Sequence, residues 1–333
     1  MDAIISIHNF AIRGDKLDAN FPLHMRTRWL GQLDQTFEIE AELEGHLYIY
    51  RLELSGGVSG STLVQSETVH CDNNPIFEFH KGEVHLYDDS FTKTVTYPFD
   101  SKRSAFETIS ELDDNQLLTR FKSWLTGLSC FRINPYQIGF NAKEAIDTPE
   151  YDLSNFASWF AYLSITGRAS IFKIESSLQS SMAGFSHLQF RNFMDNGNFT
   201  GTIMGVCFEQ EGRKPISFDL NEISEGQKCL VCLYTILHCV VEKGHSVIID
   251  EPDNFVSLRE IQPWLTALSD AIENGNGQVL LISHHPELID QWAPENGVRF
   301  VRDGVGPARV KKFVGDPESS LSPSELIARG WDE

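Results

Sequence analysis

The residues best suited to chemistry fall in one heptapeptide, Ser246-Val247-Ile248-Ile249-Asp250-Glu251-Pro252, where three β-branched apolar residues run into two acids and a proline. A short apolar run of this kind reads as a buried parallel strand. Ligands of open α/β sheets bind outside the carboxyl ends of such strands. Asp250 and Glu251 are therefore expected where a bound nucleotide would lie. One carboxylate there can hold a divalent cation, and its neighbour can orient or deprotonate an attacking water. A loop that merely follows a core strand has the same composition, so the heptapeptide alone leaves both readings open.

Two further segments narrow the choice. Ile223, Ser224, Glu225, Gly226, Gln227 and Lys228 stand directly before the apolar run CLVCLYTILHCVV. Ser224 and Gln227 have the spacing of a capping box, which predicts a helix start. A helix amino terminus opened by Ser and Gly also presents unpaired backbone N–H groups to an anion such as a γ-phosphate. The third segment, Val279 to Glu287 (VLLISHHPE), is another apolar strand with a polar end, and His284 follows Asp250 by 34 positions. A strand–helix–strand unit takes roughly 30 residues. His284 is thus expected on a neighbouring strand end beside Asp250, able to hydrogen-bond a γ-phosphate or the attacking water. His285 competes for that role, and a purely structural histidine fits as well.

The elements that must position these residues follow from the patterning upstream. Phe37, Ile39, Ala41 and Leu43 alternate with Glu38, Glu40, Glu42 and Glu44, which predicts a half-buried strand and a hairpin turning near Gly45. The four glutamates read as a solvated strand face, not a metal site. Further strands are predicted at 61–70, 76–79 and 83–87. Residues 1–100 form a β-rich subdomain in this reading. Helical segments are predicted at 104–112, 114–126, 154–164 and 168–182, making 101–185 a helical lobe. Strands at 187–193 and 199–209, joined through the Asn196-Gly197 hairpin signal, then open an α/β lobe over 186–333. At the end, Ser322, Pro323 and Glu325 predict a short capped helix closed by Gly330.

Together the three segments have the order and spacing of the ABC-type ATPases. The chain resembles that superfamily, in particular its RecF, SMC and OLD-like branch, often labelled AAA family ATPase. The resemblance is strongest over about 215–290. It implies that ISEGQ (Ser224, Glu225, Gly226, Gln227) is the signature motif that binds ATP, that VIIDEP is Walker B with Asp250 on Mg²⁺ and Glu251 catalytic, and that ISHHPE carries the switch histidine, His284. The implied fold is an α/β, ABC-type P-loop NTPase sheet with a β-rich subdomain and a helical lobe. The implied activity is ATP hydrolysis by a head-to-tail dimer, with a homodimeric or paralogous ATPase partner, in DNA maintenance or anti-phage defence.

One departure matters. Family members open with a strand and G-x-x-x-x-G-K-[S/T], whose amides and lysine cradle the phosphates, and no such string occurs here. The glycine cluster SGGVSGST at 55–62 has no Lys after Gly60 and lies between two predicted strands, as a hairpin turn does. The sheet is accordingly expected to be incomplete. Three readings stay open: a Walker A segment lost from the amino terminus, a degenerate subunit that lends its signature motif to a partner, and a non-hydrolysing scaffold or sensor.

Composition sets the outer limits. At 333 residues, with 41% hydrophobic and 22% charged residues, the chain can bury a core without disulfide staples. Its apolar run from Cys229 to Val241 is shorter than the roughly 20 residues a membrane helix needs. The amino terminus carries no signal-peptide pattern, which predicts a cytoplasmic protein. Cysteines 71, 130, 207, 229, 232 and 239 are irregularly spaced, as reduced interior thiols are. The net charge of −20 disfavours a broad electrostatic grip on DNA, although a DNA or effector-protein partner is compatible with the resemblance. A nuclease has little support, since no H-N-H-like cluster and no D-x-D after an apolar strand is present.

Overall fold

Glu44 and Gly45 both take positive φ, 52° and 82°, and so close the predicted hairpin with the twist that two-residue β-turns require. The computed structural model describes all residues except 27–33, 57–61, 196–197, 276, 303, 305, 314–320 and 331–333. The chain divides into two units, residues 1–128 with 302–309, and residues 129–301 with 310–333.

In the first unit, helices α1 (Asp2–Ala11) and α2 (Leu17–Asn20) precede strands β1 (Gln35–Leu43), β2 (His46–Gly56), β3 (Thr62–Cys71), β4 (Asn74–His80), β5 (Glu83–Tyr87) and β6 (Lys93–Pro98), and α3 (Gln116–Gly127) follows. The six strands form one antiparallel sheet in sequence order. Alternation along β1 is as read, with Glu38, Glu40 and Glu42 exposed and Phe37, Ile39 and Ala41 turned inward. The centre of the glycine-rich stretch, 57–61, lies outside the described residues, while the flanking β2 and β3 pair antiparallel with Gly56 opposite Thr62. Tyr48, Tyr50, Phe77, Phe106 and Phe121 are fully buried and pack ring against ring at 5.6–6.3 Å.

Glu67 is buried under this aromatic cluster and explains one departure from the pattern reading. The predicted helix at 104–112 is instead a series of turns. Glu67 accepts hydrogen bonds from Tyr50 Oη (3.0 Å), Ser104 Oγ (2.7 Å), Ala105 N (3.0 Å) and Phe106 N (3.3 Å). Lys122 Nζ donates to the carbonyls of Phe106, Glu107 and Ile109 at 2.6–3.2 Å. Side chains thus satisfy the backbone groups that a helix ladder would otherwise use.

The second unit contains β7 (Ser129–Arg132), β8 (Asn141–Ala142), α4 (Phe156–Thr166), α5 (Arg168–Ser181), β9 (Phe185–Asp195), β10 (Asn198–Phe208), β11 (Ile216–Asp219), α6 (Glu225–Cys239), β12 (Val247–Asp250), α7 (Leu258–Asn274), β13 (Val279–Ile282), α8 (Pro286–Asn296), β14 (Val298–Val301), β15 (Arg309–Lys312) and α9 (Pro323–Arg329). The mixed α/β class expected from the sequence is the one observed. β9 and β10 pair as an antiparallel hairpin, although the Asn196-Gly197 turn itself lies outside the described residues. The carboxy-terminal helix starts at the Ser322–Glu325 capping box and closes on Gly330 in the left-handed region.

Two features of this unit position the chemistry. β13, β12 and β7 form a parallel sheet in that spatial order. Helix α6 is buried along its whole length from Lys228 to His238, which is why its sequence is apolar on every face. Trp264 of α7 is fully buried and donates its indole N–H to the Leu233 carbonyl of α6 at 3.1 Å. Trp264→Ala is expected to cost about 3–5 kcal/mol, read as a drop in the urea midpoint at unchanged slope. Cys229 and Cys232 lie in the α6 core. Burial pushes the Cys229 thiol up to about 12 and Cys232 well above its ordinary value, so both are unreactive core thiols.

Candidate functional site at the end of the parallel sheet

β12 is too short to expose anything but its end. Val247, Ile248 and Ile249 are buried, and Asp250 is the first residue to emerge. In the parallel register Asp250 lies beside Ile282 of β13 on one side and Arg132 of β7 on the other. Arg132 Nε donates to Asp250 Oδ2 at 2.7 Å. The sequence reading did not anticipate this cation. Arg132 closes a four-residue strand with no periodic signature, and its partner is 118 positions away.

The backbone turns sharply at the next residue. Glu251 has φ +54°, a conformation that costs an L-residue roughly 1–2 kcal/mol. Its N–H is held by the Ile282 carbonyl at 2.7 Å. The turn brings the Glu251 carboxylate between two side chains: Oε1 lies 3.0 Å from His284 Nδ1, and Oε2 accepts from Asn254 Nδ2 at 2.8 Å. His284 is three-quarters exposed. The expected neighbour of His284 was Asp250. The structure pairs it with Glu251, because the left-handed turn swings that carboxylate toward β13 while Asp250 is engaged by β7.

His285 has a different job. Its Nδ1 accepts from Glu287 N at 3.3 Å as the amino-terminal cap of α8, and its own N–H goes to Ser283 Oγ. Ser283 in turn donates to the buried Asp253 carboxylate at 2.6 Å. The competing histidine is therefore absorbed by helix capping, and Ser283 and Asp253 tie the strand end to the loop after β12.

At the start of α6, Ser224 Oγ accepts from Gln227 N (3.3 Å) and Gln227 Oε1 accepts from Ser224 N (3.1 Å), the reciprocal capping box. The N–H groups of Glu225 and Gly226 have no carbonyl one turn back to reach, as in any first helical turn. Glu225 adds a negative charge there. A Cβ on Gly226 would stand 2.7 Å from the Phe255 carbonyl oxygen, so only glycine permits this approach. Phe255 itself has φ +70°, and its exposed ring meets Tyr136 edge-on at 5.9 Å. The structure thus gathers Asp250, Glu251 and His284 into one cluster and sets Gly226 against the loop that leaves it. The donors at the strand end are carboxylate oxygens, which suit a hard cation such as Mg²⁺.

The family described as "AAA domain, putative AbiEii toxin, Type IV TA system" matches residues 91–290. The chain belongs to this AAA-domain family. The chain is also similar to ATP-binding cassette sub-family F member 2 of Bos taurus and of Mus musculus, 36% identical over 84 residues, a quarter of this chain and 12% of each relative. It is also 34% identical over 97 residues to an uncharacterized ABC transporter ATP-binding protein of Schizosaccharomyces pombe (strain 972 / ATCC 24843), covering 29% of this chain and 10% of that one. The chain spans only about a tenth of the length of these relatives. Among solved structures, an SmcHead bound to the C-winged helix domain of ScpA aligns over 93% of this chain and 85% of its own, with TM-score 0.48 and 12% identity. An Smc head domain with a coiled coil and joint from Pyrococcus yayanosii aligns over 54% and 32%, with TM-score 0.35 and 13% identity. The family match bears out the AAA family ATPase resemblance read from the sequence. No helix among the described residues is long and apolar enough to cross a membrane.

Proposed function

We propose that this AAA-domain chain is an ATP-binding and ATP-hydrolysing subunit of ABC/RecF-like type that works as a nucleotide-dependent dimer. The observation that carries the reading is the Glu251 carboxylate, fixed between His284 and Asn254 at the end of β12 and directly after Asp250. A general base must be within hydrogen-bond reach of the proton it takes and held in place by neighbours. Glu251 has that support and, at about one-third exposure, can meet water. In this reading Glu251 orients and deprotonates the attacking water, and His284 supplies a hydrogen bond to the γ-phosphate or to that water. Asp250 holds Mg²⁺, which when bound neutralises phosphate charge. Arg132 is its counter-ion. Ser224, Glu225, Gly226 and Gln227 form the signature segment, whose first-turn amides face nucleotide held on a second subunit. That subunit is another copy of the chain or a paralogous ATPase, in the cytoplasm, with DNA or an effector protein as the object of the cycle in DNA maintenance or anti-phage defence.

A second reading is favoured by a specific observation. Asp250 already carries an arginine partner. A subunit of this kind would give its signature helix to a partner without hydrolysing ATP itself. ATP titration calorimetry and phosphate release, each with Mg²⁺, separate the two. Saturable binding with turnover by the purified chain supports the catalytic reading, whereas turnover seen only after adding a second ATPase subunit supports donation in trans.

A further inference from the structure

The two hairpin ends of the first unit bring together three side chains that the ATPase reading leaves unused. Asp72 and Asn73 both have positive φ (49° and 67°), so the β3–β4 turn folds Asp72 back toward the start of β2. There Asp72 Oδ2 lies 2.7 Å from His46 Nδ1, and Oδ1 accepts from Leu47 N at 2.9 Å. Cys71, the last residue of β3, stands opposite Tyr48 in the register. Residues two apart on a strand share a face, so His46 and Tyr48 point the same way and Cys71 joins them. One ligand atom from each of His46, Cys71 and Asp72 lies within 4.8 Å of the others.

Beneath the cluster is an unresolved polar group. Tyr48 is fully buried, stacked on Phe121 at 5.6 Å, and its hydroxyl lies beside the Cys71 thiol and the Arg120 side chain without forming a well-aligned hydrogen bond to either. Buried hydroxyls are seldom left this way. Access comes from the other side, where the side chains of His46 and Asp72 are 41% and 46% exposed.

We propose that His46, Cys71 and Asp72 form a binding site for a thiophilic divalent transition metal of the Zn²⁺ class, distinct from the Mg²⁺ position proposed at Asp250. One imidazole, one thiolate and one carboxylate form a donor set that selects Zn²⁺ or Co²⁺ over Mg²⁺ and Ca²⁺, which want oxygen alone. Zn–N near 2.0 Å and Zn–S near 2.3 Å put tetrahedral ligand atoms roughly 3.3–3.8 Å apart. With all three ligand atoms within 4.8 Å of one another, the cluster needs at most about 1 Å of closure on any side and a small opening of the His46–Asp72 contact. Three protein ligands leave a fourth position for water, or for the Tyr48 hydroxyl. Such an ion would tie the β1–β2 turn to the β3–β4 turn.

The test is titration of the full metal-free chain with CoCl₂, followed by visible and near-ultraviolet absorption, and then with ZnCl₂. The expected result is a thiolate-to-cobalt charge-transfer band that saturates at one equivalent, is bleached by Zn²⁺ and is unaffected by Mg²⁺. In Cys71→Ser the charge-transfer band is lost. In His46→Ala, a change at a partly exposed turn position that leaves the sheet intact by circular dichroism, affinity falls by more than the roughly 10–100-fold that losing a hydrogen-bond partner of a metal ligand costs. Should Cys71→Ser fail to fold, His46→Ala decides alone. Absence of the band in the wild-type chain, or a band of unchanged affinity in His46→Ala, overturns the assignment.

Discussion

In Glu251→Gln, ATP turnover falls by roughly 10²–10⁴-fold, the contribution of a positioned general base, while an ATP-bound dimer accumulates. The substitution suits the question because it changes little else. Gln has the same length and the same backbone preferences, so the left-handed turn at φ +54° is no more strained than before. Its amide oxygen can accept from Asn254 as Glu251 does now, and its NH₂ can face His284. What disappears is the ability to take a proton from water. Mass by light scattering with and without ATP, alongside phosphate release, checks both halves, in protein that includes any sequence encoded upstream of residue 1. Turnover equal to wild type sinks the assignment of Glu251 as base, and a chain that stays monomeric with bound ATP sinks the dimer cycle.

Glu67→Ala is expected to be the most destabilising single change in the first unit. It removes an acceptor that serves four donors at once, two of them backbone amides of the turn segment that starts at Ser104. Breaking a buried polar network and leaving its partners unpaired costs on the order of 3–5 kcal/mol. Glu67→Gln recovers only part of this, because its single carbonyl oxygen cannot serve all four donors. The carboxyl also leaves a pH signature. Burial pushes its pKa up, against the pull of Ser104, Tyr50 and the two amides. The folded chain therefore holds this proton more tightly than the unfolded chain. The associated stability is greatest below the ordinary carboxylate range, declines as pH rises from there to the raised folded value, and is level beyond it. Urea unfolding of wild type and Glu67→Gln across that window is expected to show the decline only in wild type. Equal slopes with pH would mean that Glu67 shares its unfolded-state titration.

The hairpins of the first unit, and in the second α4, α5, α6 and α9 with β9, β10, β12 and β13, were legible because each carries its own local code. Glu38, Glu40 and Glu42 mark the wet face of β1, Gly45 its turn, and Ser224 with Gln227 or Ser322 with Glu325 a helix start. The segment at 104–112 was misread as helix because its structure is imposed by Glu67 and Lys122, neither of which lies inside it. β6 escaped notice for a similar reason: an edge strand exposed at most positions has no alternation to read. In the candidate site, Asp250, Glu251 and His284 stood out as polar residues ending apolar runs. Arg132 did not, since nothing local to SCFR names a partner that only the parallel register supplies. Even the pairing of His284 depended on one backbone angle, the φ of Glu251, that residue types leave undetermined for a non-glycine.

The contact between Gly226 and the Phe255 carbonyl has a mechanical meaning. With 2.7 Å from a would-be Cβ to that oxygen, the first turn of α6 and the loop leaving β12 pack too closely to admit a side chain at position 226. Neither surface can advance without displacing the other. Any residue larger than glycine at 226 would therefore have to displace the loop that follows the Asp250–Glu251 strand end, and with it the first turn of a helix buried from Lys228 to His238.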